Sequence, residues 1–227
     1  MVKTRRAKIT DVIIAGFVFV LLCMCLLPVV NVAALSFSSE HAIVNQWVFL
    51  WPVDFNTNAY TMVLNDITFT RSIGLTALLT VVYTVFAMVL TVLCAYPLTQ
   101  PNLKGKAFFN TLIILTMYFS AGIIPNYMLM NDLNLLDKFW VMVLPGVISV
   151  FNMLIMKSFF YTIPDSLKES AQLDGANHFT ILIWIYIPLS TSALATLTLF
   201  YAVGRWNGFA DALFYISNPE LKPIQLW

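Results

Sequence analysis

The chain has 227 residues, 60% of them hydrophobic and 10% charged, and a formal net charge of +1. A mean hydropathy of +0.83 excludes an ordinary soluble globular domain. Its twelve basic residues are scattered and nearly balanced by eleven acidic ones, so nothing points to a nucleic-acid partner and charge informs only by location.

Five apolar runs are long enough to cross about 30 Å of hydrocarbon as helices. None alternates like a barrel strand, and lipid offers no partners for the backbone, so an all-α polytopic membrane bundle is expected. The first run, Val12 to Leu35, follows Lys3, Arg5, Arg6 and Lys8. It exceeds the roughly 7 to 15 residues of a signal-peptide core and is read as an uncleaved span. Ser36 to Ser72 then forms the longest loop, where Trp47, Trp51 and Tyr60 read as interfacial anchors, with contact to an external partner as the alternative. The remaining runs are Gly74 to Leu98, Ala107 to Leu129, Phe139 to Phe160 and Phe179 to Val203. Breaks are expected at Pro28, at Gly122 with Pro125, and at Pro145 with Gly146. The basic N-terminus taken as cytoplasmic places Lys104, Lys106, Lys157 and Lys168 on the same side, against Arg71, Lys138, Arg205 and Lys222 outside. The imbalance favours a cytoplasmic N-terminus.

Chemistry-bearing residues are sparse. Cys23, Cys25 and Cys94 lie inside apolar runs and read as small apolar fillers rather than a metal or disulfide framework. His41 and His178 stand alone, and no phosphate loop, H-E-x-x-H or G-x-S-x-G motif occurs, which excludes the common hydrolase and nucleotide-binding designs. Asn31, Tyr83 and Asn152 are polar positions within the runs without charged companions in the sequence. They suit a neutral path for a sugar-like solute, or simply hydrogen bonds between helices.

One polar stretch, Pro164 to Pro188, interrupts this pattern. Lys168, Glu169 and Asp174 would each cost about 2.5 to 3.5 kcal/mol at a bilayer centre, so the stretch is placed in water, on the cytoplasmic side. Pro164 suits a helix start and Ser166 with Glu169 reads as a capping box. Leu167 and Ala171 would share one face of the short helix, Gly175 would permit a sharp turn, and a second helix would lead into the fifth span.

This arrangement resembles the EAA loop of ATP-binding cassette importer permeases. Glu169, Ser170 and Ala171, then Gly175, then Ile185, Ile187 and Pro188 keep that loop's full spacing, with Ser170 for the middle alanine and Ile187 for leucine. The stretches AYPLTQPNLKGKAFF, TMYFSAGIIPNYMLMNDLNLL and LFYAVGRWNGFADALFYI are similar to the carbohydrate-importer branch, particularly permeases for complex polysaccharides and aldouronate-type oligosaccharides. The resemblance implies a type I importer permease fold over residues 12–204, a coupling loop at 161–180 seated in a cytoplasmic ATPase dimer, and a cytoplasmic segment at 1–11. It implies Glu169, Ser170, Ala171, Asp174, Gly175 and Pro188 as coupling residues. It further implies a second related permease subunit, an extracellular solute-binding lipoprotein and an oligosaccharide substrate. ATP and magnesium would be held by the ATPase, and this chain itself would be no enzyme. Residues 205–227 carry Asp211, Pro219, Glu220, Lys222 and Pro223 and are too interrupted for the sixth span usual in that branch. The expectation is therefore five spans with a truncated extracytoplasmic end, and the alternative to a permease is a non-transporting scaffold or regulatory remnant.

Overall fold

The computed structural model describes the backbone of residues 5–227 and the side chains from Asp11 onward, Val12 excepted. The basic side chains Lys3, Arg5, Arg6 and Lys8, on which the expected orientation rests, lie outside the described residues. All regular structure among the described residues is helical, as expected. The chain divides into two compact units, residues 1–70 and 71–227.

In the first unit α1 (Arg5–Ser36) runs unbroken through Pro28. Phe17 and Phe19 are 65% and 63% exposed, and the candidate span Ile13–Ser36 buries none of its length within the protein. Such a surface requires lipid or another subunit. Beyond it Ser39 caps α2 (Glu40–Val44) by accepting from Ala42 N. Ala34, Ala42 and Val48 form a small core, and Phe37 stacks on both Phe55 and Tyr60. Asn31 donates to the Phe49 carbonyl at 2.6 Å, which fixes the loop on its helix. The unit closes with α3 (Asn58–Asn65).

The second unit is organised by α4 (Ile67–Thr99), which is long and apolar enough to cross a membrane. Its Ala87, Thr91 and Ala95 recur at helical spacing and are fully buried, so small side chains let neighbouring helices approach closely. Around its C-terminal half, Tyr96, Phe160 and Tyr186 meet edge to face, with Met153, Met156 and Leu197 filling the same core.

The other expected crossings are interrupted. The third is split into α5 (Lys106–Tyr118) and α6 (Ile123–Asp132), bent by 113°. Gly122 stands between them at φ +88°, a backbone conformation that a side chain disfavours. The fourth is a 3-10 turn at Phe139–Met142, irregular chain through Pro145 and Gly146, and then α7 (Val150–Phe160). Eleven residues reach only about 16 Å, too short for a straight crossing. After α8 (Asp165–Leu173), the fifth runs as α9 (His178–Ile181), a π turn at Leu182–Tyr186 and α10 (Ile187–Leu189), then bends by 83° into α11 (Thr191–Asn207). Pro188 explains the widened turn: it has no amide to donate and its ring crowds the preceding turn, and the chain adapts by bonding Ile187 N to the Leu182 carbonyl. The five expected runs are thus two long helices, two bent pairs and one short helix, the breaks at Gly122 and at Pro145 with Gly146 falling where expected and the one at Pro28 not occurring.

After α12 (Ala210–Tyr215), the last residues pack back along the start of α4. Ile224 N donates to Thr76 Oγ1 at 2.9 Å, Trp227 donates to Ser72 Oγ, and Arg71 pairs with Glu220 at 3.0 Å. The interrupted segment 205–227 is therefore an ordered part of the second unit.

Candidate functional site

Two polar regions of the second unit merit attention, one at each half of α4. The first is the elbow between α8 and α9. Gly175 N donates to the Gln172 carbonyl at 3.1 Å and Ala176 N to the Ala171 carbonyl at 2.9 Å. Gly175 has φ +84°. These paired bonds with a left-handed glycine are a Schellman stop, completed by Ala171 and Ala176 packing on the same core. Two residues later Asn177 caps α9 by accepting from Thr180 N at 2.9 Å. The elbow is therefore closed by main-chain bonds and one side-chain cap, leaving little slack between the two helices.

The elbow presents a consistent set of groups outward. Glu169, Ser170, Asp174 and Gly175 are exposed, and Leu173 is 90% exposed. Lys168 and Ala171 face inward, the lysine only 8% exposed. Two local expectations are corrected here. The N-cap of α8 is Pro164 without a side-chain cap bond, so Ser166 lies inside the first turn and no capping box forms. Leu167 and Ala171 do not share a face in use: Leu167 is 44% exposed, whereas Ala171 packs on the core. Pro188 lies within the first half of the fifth run, exposed, where it sets the π turn rather than joining the elbow.

The second region is a cavity of about 560 Å³ whose walls come from α4, the irregular 143–149 stretch, α7, α11 and α12. Arg205 is its organising group. It is 6% exposed, donates through Nη1 to the Met142 carbonyl at 2.9 Å and to Asp211 Oδ2 at 2.7 Å, and through Nη2 to the Gly208 carbonyl at 3.5 Å. The guanidinium lies 5.5 Å from the centre of the Tyr83 ring. Tyr83 donates to the Gly146 carbonyl at 2.8 Å, and the Tyr201 hydroxyl lies 2.7 Å from Thr91 Oγ1. Burial, aided by Asp211, raises the pKa of the Tyr215 phenol.

The expectation that polar groups in the spans lack charged companions is overturned. Tyr83 and Asn152 do line this cavity, but beside the Arg205–Asp211 pair. Charge counting assigned Arg205 to an outer loop, whereas its helix carries it into the core. The arginine is tolerated there because a carboxylate and two carbonyls surround it. Arg205 Nε is buried and has no hydrogen-bond partner among the described residues. Chemically, the cavity can grip a polyhydroxylated solute with phenols, amides and a charge-neutral ion pair.

Comparisons with known proteins agree with this architecture. The polygalacturonan/rhamnogalacturonan transport system permease protein YtcP of Bacillus subtilis (strain 168) is 37% identical over 221 residues, 97% of this chain and 77% of that protein. Protein LplC of the same organism is 37% identical over 226 residues, 100% of this chain and 77% of its own length. In a crystal structure of a bacterial ABC transporter involved in the import of the acidic polysaccharide alginate, one chain superposes with a TM-score of 0.96 at 35% identity. That match covers 100% of this chain and 81% of the other. Residues 74–224 match the family described as binding-protein-dependent transport system inner membrane component. With its apolar helices and permease architecture, this membrane chain belongs to that family of binding-protein-dependent transport inner-membrane components.

Proposed function

We propose that the chain is a transmembrane permease subunit of an ATP-driven importer of oligosaccharides, forming half of the translocation path. A second related permease subunit would form the other half. An extracellular solute-binding lipoprotein would deliver the sugar, and a cytoplasmic ATPase dimer holding ATP and magnesium would supply the energy. In this reading the chain performs no covalent chemistry, and its N-terminus is cytoplasmic. Permeases named for the transport of galacturonans and arabinooligosaccharides among its relatives support a glycan cargo, and so does the aromatic and amide lining of the Arg205 cavity.

The observation that carries the coupling role is the two-sidedness of α8. Glu169 and Leu173, one turn apart, point outward with Ser170, while Ala171 anchors the inner side to the core shared by α4, α7 and α9. A partner groove that grips the outer face would move this core through the Gly175 elbow. Glu169 would meet a basic group of the ATPase and Asp174 would lie at the rim. No observation favours the scaffold reading. Site-directed crosslinking tests the seat. With Cys23, Cys25 and Cys94 changed to Ala, Glu169→Cys in the assembled complex is expected to crosslink to the ATPase in a nucleotide-dependent yield. Phe17→Cys on α1 is expected not to. Equal yields at both positions would remove the docking assignment.

A further inference from the structure

Behind α8, on the side away from the outward face, lies a second cavity of about 540 Å³. It is bounded by the end of α4, the 100–103 turn, α8 and α9, and Lys168 is part of its wall. Lys168 is 8% exposed. Three of the five other lysines of this unit find oxygen acceptors: Lys106 donates to the Thr99 and Gln100 carbonyls, Lys138 to the Asn134 carbonyl and Lys157 to Asn110 Oδ1. Lys168 donates to none. Its sequence neighbours Asp165 and Glu169 form no ion pair with it, and the cavity lining contains no carboxylate.

The stem of Lys168 is buried while its ammonium, without a protein acceptor, is left accessible beside the cavity, where an anion would be its natural partner. The remaining walls say which kind. Asn102, Gln172 and His178 add hydrogen-bonding groups to the lining, with His178 Nδ1 held 3.2 Å from the Tyr96 hydroxyl. Leu93, Leu103, Phe179 and Leu182 make the rest of it largely apolar, and Leu93 is 39% and Phe179 63% exposed. Leu93 belongs to the apolar span of α4, so the cavity joins a lipid-facing surface to a cationic end. We propose that this cavity binds a phosphate-bearing anion on Lys168, presented as the headgroup of an anionic phospholipid whose acyl chains follow Leu93 and Phe179. A lipid held there would wedge between α4 and α8 and set the stiffness of the joint that the elbow works against.

The test uses the assembled transporter in nanodiscs of three kinds: phosphatidylcholine alone, phosphatidylcholine with phosphatidylglycerol, and phosphatidylcholine with inorganic phosphate in the buffer. Phosphatidylglycerol is expected to raise the thermal midpoint of the wild type. Lys168→Gln loses that rise and Lys168→Arg keeps it. Leu93→Trp, which narrows the lipid-side mouth but leaves the charge, also loses it and serves if Lys168→Gln fails to assemble. A rise produced by inorganic phosphate and abolished in Lys168→Gln keeps the site but makes a soluble anion its ligand. A phosphatidylglycerol rise undiminished in Lys168→Gln and Leu93→Trp overturns the proposal. So does loss of the ATPase from Lys168→Gln while Leu93→Trp keeps the full rise, because Lys168 then serves a protein carboxylate. These shifts are independent of crosslinking at Glu169, so failure of the docking assignment leaves them readable.

Discussion

The α8 elbow and the Arg205 cavity are both polar regions of one apolar unit, yet they are held in opposite ways. The elbow is closed by short-range main-chain bonds from Gly175 and Ala176, and its acidic groups Glu169 and Asp174 point outward, where they contribute little to folding. The cavity is closed by one buried guanidinium that reaches the Met142 carbonyl, Asp211 and the Gly208 carbonyl, groups from three separate segments. The contrast teaches that surface charge at the elbow is free to serve a partner. Charge in the cavity is committed to architecture, its guanidinium spent on a carboxylate and two carbonyls.

The contrast is broken most forcefully at Arg205. Arg205→Leu leaves Asp211 and two carbonyls without their donor and is expected to destabilise the unit by about 3 to 5 kcal/mol. Thermal unfolding of the purified complex measures this. The double variant Arg205→Leu with Asp211→Leu is expected to be milder than Arg205→Leu alone, and equal losses would show that the pair is not coupled. At the elbow the same measurement should find a smaller effect. Gly175→Val meets no neighbouring atom, so its cost is the left-handed backbone alone, about 1 to 2 kcal/mol. The smallest effect belongs to the exposed Arg71–Glu220 pair. The hydrogen bond from Arg71, and then its charge, hold the Glu220 carboxyl below the usual glutamate value. A depressed folded pKa stabilises above the unfolded value and is lost as pH falls through the folded one. The midpoint difference between wild type and Glu220→Gln should therefore be slight at neutral pH and vanish in acid.

Legibility followed the same division. The elbow could be read from the chain because the turn at Gly175, with its positive φ, is a local demand; the Asn177 cap is equally local and went unread. The apolar runs announced an all-α membrane bundle for the same reason. The bends were only half legible: Gly122 and Pro145–Gly146 were visible as breaks, but the 113° turn and the shortened α7 depend on packing. The capping box failed because Pro164 already occupies the cap position, leaving Ser166 two residues too deep. The cavity was missed because its groups come from distant segments. Arg205 and Asp211 lie six positions apart across a helix end, a spacing that shares no helical face. The usable signal was an arginine closing an otherwise apolar helix, where an ionisable residue marks a functional or structural partner by default.

In the proposed coupling, a rigid elbow at Gly175 transmits ATPase closure to the permease core. Solute-stimulated ATP turnover, measured together with sugar uptake in vesicles reconstituted with the complete complex, tests it most directly. Gly175→Val is expected to assemble and hydrolyse ATP at its basal rate while losing both solute stimulation and uptake. Stimulation and uptake at wild-type levels in that variant would contradict the claim.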